Sequence, residues 1–194
     1  GVFLAFDRKV MLGCRAVKVR ASGFSAFESV NARYVATVTN RGLVVDEQAL
    51  PISHGPAQLK PMLSREVFLL KLTPGLNPAI FDMLAAMGYK GIVIEAFGLG
   101  GVNVLHKGLR GLRRAVEDGI SVVITTQCLY DSADLRVYQV GNKLLELGVI
   151  QGMDMTSEAA YTKLMWGLGQ GMDQKQIANL FAASLAGEIQ PKTE

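Results

Sequence analysis

The apolar residues of the first fifty positions fall in short runs that predict β-hairpins. Two pairs of runs are each separated by a polar turn, over residues 2–6 with 10–12 and over residues 34–39 with 43–45. The first turn is charged, at Asp7 and Arg8, and the second, at residues 40–42, ends in a glycine that can adopt positive φ. We therefore expect antiparallel hairpins in this part of the chain.

From residue 66 the pattern changes to apolar runs that alternate with helical periods. The runs predict strands over 67–73, 91–97 and 121–127, and the periodicity predicts helices over 78–87, 106–117, 137–147, 157–168 and 173–185. Asn77 before Pro78 marks a helix start, and Gly88 marks a helix end. The strands are apolar on both faces, so we predict an α/β fold with a Rossmann-like parallel sheet and helices on both faces.

Residues 51–65 separate the two patterns. This stretch holds three of the six prolines and shows no periodicity, which is typical of a connector. We predict a β-rich unit over residues 1–52, a linker over 53–65 and an α/β domain over 66–194. Because native chains seldom begin inside a strand, we also expect these residues to be part of a longer polypeptide.

Composition and charge narrow the classes of partner. Hydrophobic residues make up 49% of the 194 positions and charged residues 19%, the balance of a globular protein. The 20 basic and 17 acidic residues leave a net charge of +3, too small to indicate a nucleic-acid partner. The mean hydropathy is +0.26, but every apolar run is far shorter than the roughly 18 residues that span a membrane. We expect neither a nucleic acid nor a membrane as partner.

The cysteine content and the order of the first residues indicate the cellular compartment of the protein. The two cysteines, Cys14 and Cys128, cannot build a disulfide framework and fit a reducing environment. The apolar residues 2–6 run into Asp7, Arg8 and Lys9, the reverse of the order in an export signal. We therefore expect a cytoplasmic location.

A glycine-rich segment, Gly98-Leu99-Gly100-Gly101-Val102-Asn103, lies between a predicted strand and a predicted helix, where a dinucleotide fingerprint would occur. The match to that fingerprint is incomplete, because Asn103 stands at the third glycine and no acidic residue follows at the next strand end. We predict instead a loop that approaches a small ligand or a neighbouring subunit, and no cofactor. His54 and His106 lack metal-ligand partners at suitable spacing, so no metal site is predicted.

Lys18 is the remaining candidate for chemistry. Alternation along residues 15–20 places Val17 and Val19 on one face of a strand and Lys18 on the other, which favours a solvated lysine. A lysine in a desolvated site could instead act as a base. The chain contains no GxSxG or HExxH motif, so generic hydrolase motifs do not decide between these two interpretations.

Three stretches together resemble the bacterial-type L-asparaginase family and its cytoplasmic-type branch. They are Arg15-x-x-Lys18 followed by Phe24, Ala26, Phe27, Ser29 and Asn31, then IVIEAFGLGG over residues 92–101 with TTQC over 125–128, and DMTSEAAYTKLMW over 154–166. The resemblance implies hydrolysis of L-asparagine to L-aspartate and ammonia by a subunit of two α/β domains. Residues 1–52 would then be the tail of the amino-terminal domain, and 66–194 the carboxy-terminal domain.

The resemblance also implies roles for individual residues. Lys18 matches the family's catalytic lysine, whereas the TGGTI-like and HGTDT-like motifs that carry the catalytic threonines do not occur in these 194 residues. We therefore expect the chain alone to be inactive. In the family's homodimers and homotetramers the loop matching Gly98, Gly100, Gly101 and Asn103 reaches the partner's active site.

A further feature implied by the resemblance is an effector site for asparagine. Some members of the branch bind it near the positions of Thr126 and Cys128, and Glu95 replaces an arginine used there. Two alternatives to an L-asparaginase stay open. One is the asparaginase-like subunit of a glutamyl-tRNA(Gln) amidotransferase, and the other is a non-catalytic dimerisation or ligand-sensing domain.

Overall fold

Residues 1–51, here called the amino-terminal unit, form two antiparallel sheets. The computed structural model describes residues 1–51, 55–56, 58–101, 106–137 and 139–190. The strands of this unit are β1 (Phe3–Phe6), β2 (Lys9–Leu12), β3 (Ala16–Lys18), β4 (Phe27–Ser29), β5 (Ala36–Thr39) and β6 (Gly42–Val45). One sheet has the order β1-β2-β5-β6, and the other pairs β3 with β4.

The structure confirms both hairpins predicted from the sequence. In the first, Phe6 pairs with Lys9, so that Asp7 and Arg8 form a two-residue turn. Both turn residues have positive φ, +46° and +61°, as a tight turn matched to the twist of the strands requires. The second hairpin closes at Gly42, whose φ is +110°.

Residues 66–190, the carboxy-terminal unit, contain a parallel sheet of four strands. The strands are β7 (Val67–Lys71), β8 (Gly91–Ala96), β9 (Ser121–Thr126) and β10 (Ile150–Gln151), and the helices are α1 (Ile80–Ala86), α2 (His106–Glu117), α3 (Gln139–Glu146), α4 (Ser157–Gly169) and α5 (Gln174–Ala182). The strands lie side by side in chain order, β7-β8-β9-β10, and all pair in parallel.

Helices cover both faces of this sheet. One face packs against α1, α2 and α3 in a cluster whose fully buried members include Ile94, Ile124 and Leu112. The other face packs against α4 and α5 around Val93 and Val123. Successive strand residues point to opposite faces, which is why neighbours such as Val93 and Ile94 belong to different clusters. The α/β fold predicted from the sequence is thus confirmed.

Some element boundaries differ from the prediction. Helix α5 ends at Ala182 rather than at residue 185, because the backbone N–H groups of Leu185 and Ala186 bind the Glu188 carboxylate instead of extending the helix. Helix α3 begins at residue 139 rather than 137, after a short 3₁₀ turn. Strand β10 was not predicted, because two residues are too few to show a period.

A buried arginine joins the two units. Arg15 ends a 3₁₀ turn just before β3 and is 0% exposed. Its Nε donates to the Gly187 carbonyl at 2.8 Å and its Nη1 to the Asp154 carbonyl at 2.9 Å. Nη2 lies 3.0 Å from Asp154 Oδ2, as an ion pair without the alignment of a hydrogen bond. We call Arg15, Asp154 and Gly187 the Arg15 clamp. A buried guanidinium is costly unless it is paired, so the clamp holds the two units together.

A second buried ion pair, between Lys163 of α4 and Glu188, attaches the segment after α5 to α4. Lys163 Nζ donates to Glu188 Oε1 at 2.5 Å and to the Ala183 carbonyl at 2.6 Å, and both charged side chains are almost fully buried. Burial raises the pKa of the Glu188 carboxyl, but hydrogen bonds from Lys163 and from the N–H groups of Leu185 and Ala186 outweigh it and hold the pKa below 4.5. Burial lowers the pKa of Lys163, which Glu188 opposes.

We predict that Arg15→Leu lowers the free energy of unfolding by about 3 kcal/mol, because it leaves the Asp154 carboxylate without its cationic partner. Arg20→Leu is a matched control, since Arg20 lies in the same segment and pairs with Glu28 on the surface. It should cost less than about 1 kcal/mol. Urea unfolding followed by Trp166 fluorescence measures both. Equal losses for the two variants would contradict the role of the clamp.

The lowered pKa of Glu188 predicts acid sensitivity. Well above the ordinary pKa of a glutamate the carboxylate is ionised in the folded and unfolded states. As the pH falls, the unfolded chain takes up the proton first, so stability is lost. Glu188→Gln should remove this part of the pH dependence and, at pH 7, cost about 3 kcal/mol by leaving Lys163 unpaired. Glu117→Gln, at an exposed position of α2, is the control and should change neither quantity. Urea unfolding between pH 3 and 7, at intervals of about half a unit, tests this linkage. A variant that keeps the full acid dependence of the parent chain would refute it.

Candidate functional site

The loop after β8 is a tight turn at the carboxyl edge of the parallel sheet, where ligands bind in such folds. The Gly101 N–H donates to the Phe97 carbonyl at 2.6 Å, and the Phe97 N–H donates back to the Gly101 carbonyl at 3.1 Å. Gly98 and Gly100 have positive φ, +51° and +102°. A Cβ on Gly100 would lie 2.7 Å from Leu135 Cδ2. The turn therefore needs glycine for backbone conformation and for space. Asn103 lies outside the described residues.

Side chains at the end of β9 hydrogen-bond to this loop and to the ends of the neighbouring strands. Thr126 Oγ1 donates to the Gly98 carbonyl at 2.5 Å and accepts the Cys128 N–H at 3.0 Å. Gln127 Nε2 donates to the carbonyls of Leu72 and Glu95, at 2.7 and 3.0 Å. One glutamine side chain thus links the ends of three strands. The carboxyl edge is cross-linked by side chains rather than left as independent loops.

The structure brings Thr126 and Cys128 together but places Glu95 apart from them. Glu95 pairs in register with Thr125, so these two side chains project from the same face, where Thr125 Oγ1 lies 3.0 Å from Ser157 Oγ of α4. Thr126 follows Thr125 and projects from the opposite face. Glu95 instead lies 3.8 Å from Lys71 Nζ. Glu95 and Thr126 thus project from opposite faces of the sheet, and the effector site implied by the resemblance stays a prediction.

Lys18 ends β3 with its side chain exposed, as the alternation of this segment predicts. Its backbone pairs with Phe27 of β4, and its Nζ lies 5.8 Å from the Phe27 ring centroid. Arg15 is three residues earlier, so the Arg15 clamp fixes the start of the strand that presents Lys18. The lysine therefore projects from a strand whose backbone is anchored to the other unit.

Contacts that the sequence did not predict hold the loop after β9 against β4. The Tyr130 hydroxyl donates to Glu28, which also accepts a hydrogen bond from Arg20 at 2.9 Å. These two hydrogen bonds hold the pKa of the Glu28 carboxyl below its ordinary value, and the bond to Glu28 raises the pKa of Tyr130. Asn31 Nδ2 donates to the Asp131 carbonyl at 3.2 Å. The carboxyl edge and the Lys18 strand are thus neighbours.

The described residues offer no metal centre: no three or more His, Cys, Asp or Glu side chains among them are grouped to hold an ion. His54 lies outside the described residues, and Cys14 and Cys128 are both free thiols. Of the helices in the described part of the chain, none combines the length and apolarity needed to cross a bilayer. The groups available at the carboxyl edge are backbone groups, hydroxyls, an amide, the Cys128 thiol and the Glu95 carboxylate, with Lys18 on a neighbouring strand.

Comparison with known families matches both units. The model of the glutaminase/asparaginase C-terminal domain matches residues 66–181, and the model of the asparaginase N-terminal domain matches residues 1–51. Among curated proteins, the L-asparaginase of Thermococcus kodakarensis is 39% identical over 189 residues, covering 97% of this chain and 57% of that protein. A glutamyl-tRNA(Gln) amidotransferase subunit of Pyrococcus furiosus is 37% identical over 184 residues, covering 94% of this chain and 42% of that protein.

Solved structures agree with these matches. The thermostable L-asparaginase from Thermococcus kodakarensis superposes with a TM-score of 0.91 and 38% identity, over 99% of this chain and 58% of that one. L-asparaginase I from Vibrio cholerae superposes with a TM-score of 0.88 and 28% identity, over 98% of this chain and 57% of that one. The chain thus spans well under two thirds of each of these relatives. Since the carboxy-terminal family model alone covers more than half of its residues, the chain belongs to the glutaminase/asparaginase family.

Proposed function

We propose that this chain works as part of an L-asparaginase, which hydrolyses L-asparagine to L-aspartate and ammonia. The observation that carries the proposal is the similarity to the Thermococcus kodakarensis L-asparaginase over 97% of the chain, across both units and the strand of Lys18. Two features described above support it: the cross-linked carboxyl edge and a lysine on an anchored strand beside that edge.

In the proposed reaction a threonine supplied by residues outside these 194 is the nucleophile. Its hydroxyl oxygen attacks the side-chain amide carbon of asparagine, and Lys18, held as the neutral amine once the threonine-bearing segment covers it, accepts the hydroxyl proton. The proton then passes to the departing nitrogen, which leaves as ammonia, and water hydrolyses the ester to release aspartate. The Arg15 clamp contributes by fixing the strand, so that Lys18 meets the hydroxyl in a defined position.

Uncovered apolar surface on the amino-terminal unit supports the involvement of further protein. Strand β6 exposes Leu43, Val44 and Val45 at 61%, 56% and 47%, and Phe3 on β1 is 41% exposed. β6 and β1 are the two edge strands of this sheet, and exposed apolar side chains on edge strands are typical of positions that pack against other protein. In the proposal, the threonine-bearing segment covers this unit and reaches the exposed Lys18.

We also propose that the active unit is a homo-oligomer in which the loop of Gly98, Gly100, Gly101 and Asn103 borders the site of a neighbouring copy. Gly98 and Gly101 are exposed while Gly100 is buried, so the loop offers positions without side chains on a fixed base. A neighbouring copy or its substrate can approach the backbone closely at such glycines.

A second candidate is the asparaginase-like subunit of a glutamyl-tRNA(Gln) amidotransferase. The observation that favours it is the 37% identity to the amidotransferase subunit of Pyrococcus furiosus, close to the 39% identity with the L-asparaginase. In this alternative the ammonia released at the same site is used to amidate glutamyl-tRNA(Gln). Release of ammonia from free asparagine by the protein without tRNA favours the first candidate, and release only with glutamyl-tRNA(Gln) and the other subunits favours the second.

The proposal predicts that the 194 residues alone release no ammonia from asparagine. Fusion behind a segment that carries the family's TGGTI-like and HGTDT-like motifs should restore the release, because it supplies the nucleophile. In the fused protein Lys18→Ala should lower kcat by at least about 100-fold, the usual loss of a positioned base. Lys175→Ala, at an exposed position of α5, should leave kcat unchanged. An ammonia assay on protein free of host asparaginase measures each variant.

Two results would overturn the proposal. One is ammonia release by the 194 residues alone at the rate of the fused protein, which would place the nucleophile within them. The other is an active fused protein in which Lys18→Ala and Lys175→Ala behave alike, which would remove Lys18 from the reaction.

A further inference from the structure

A groove rich in arginine lies between α1 and α2, on the outer side of the carboxy-terminal unit. It has a volume of about 460 Å³ and is lined by Asn77, Pro78, Ala79, Asp82, Arg110, Arg113 and Arg114, which we call the arginine groove. None of its residues belongs to the carboxyl-edge loops or to the strand of Lys18. The groove therefore has no part in the proposed asparagine site.

The groove exists because the two helices approach closely at a glycine. Gly111 of α2 is buried, and a Cβ at this position would lie 3.1 Å from the Pro78 carbonyl oxygen and 3.3 Å from Phe81 Cδ2. The segment before α1 can thus lie directly beside α2. Asn77 Oδ1 accepts the Ala79 N–H at 3.0 Å and holds that segment in a turn. The wall opposite the arginines is therefore a fixed one, made mainly of Pro78 and Ala79.

The charge of the groove is unbalanced. Arg114 Nη2 pairs with Asp82 Oδ2 at 2.8 Å. Arg110 and Arg113 are exposed, and within the described part of the chain no carboxylate pairs with either of them. Three guanidinium groups against one carboxylate leave two positive charges in excess among the lining residues. An excess of positive charge in one groove favours an anion there.

We propose that the arginine groove binds a small organic phosphate, of which a nucleoside diphosphate is the type. Guanidinium forks match the oxygen geometry of a phosphate and can bind it through paired hydrogen bonds. Two excess positive charges match the multiple negative charges of a diphosphate group better than the single charge of a carboxylate. The volume exceeds what a bare phosphate fills, and Pro78 and Ala79 supply an apolar wall for a ring.

Binding of ADP to the 194-residue chain at about 0.1 M salt, measured by calorimetry, tests the proposal under moderate screening. ADP should bind, and adenosine at the same concentration should bind at least tenfold more weakly. Arg110→Ala and Arg113→Ala should each weaken ADP binding by about tenfold, the loss expected for a hydrogen bond to a charged group. Arg114 is left in place because its removal would unpair Asp82.

Arg41→Ala is the matched control, since Arg41 is an exposed arginine in the turn between β5 and β6 and its loss changes the net charge equally. It should leave ADP binding unchanged. Circular dichroism checks that each variant is folded. The proposal is overturned if ADP does not bind at millimolar concentration, if adenosine binds as tightly as ADP, or if Arg41→Ala weakens binding as much as Arg110→Ala.

Discussion

The structure depends on the buried guanidinium of Arg15. A charge that is 0% exposed is tolerated only when it is paired, and here the partners, Asp154 and Gly187, are far from Arg15 in the chain. The strands of the amino-terminal unit are only three or four residues long, and many of its apolar side chains are exposed. Its own core therefore contributes little free energy of folding. The Arg15 clamp gives it a defined position, and with it the position of β3 and Lys18.

The loops at the carboxyl edge of the parallel sheet are also held by polar side chains, but here the side chains are neutral. Gln127 satisfies two backbone carbonyls at the ends of neighbouring strands, and Thr126 joins the loop of Gly98 to that of Cys128. Each contact removes freedom from a loop that would otherwise sample many conformations. Tyr130 extends the same network to Glu28 of the amino-terminal unit. The edge and the lysine strand are thus positioned by one connected set of polar contacts.

Local sequence patterns predicted much of this fold but not the long-range contacts that join its parts. The hairpins, the βαβ alternation and the exposed side of Lys18 follow from periods of two and 3.6 residues, which depend only on near neighbours. The Arg15 clamp does not, because its partners are 139 and 172 residues away in the chain. The early end of α5 has the same cause, since Glu188 competes for backbone N–H groups that periodicity assigns to the helix. The separation of Glu95 from Thr126 also required the strand register, which no single strand contains.

The Arg15 clamp lies between two of the three stretches that carry the resemblance. Arg15 belongs to the Arg-x-x-Lys stretch, and Asp154 begins the DMTSEAAYTKLMW stretch, so these two stretches meet in one ion pair. Lys163, within the second stretch, is likewise engaged with Glu188. These residues hold the two units and the last segment of the described chain in place, and a protein with this arrangement needs such contacts whatever reaction it takes part in. Identity at such positions is expected for an L-asparaginase and for an amidotransferase subunit alike, so the distinction must come from residues that contact the acceptor.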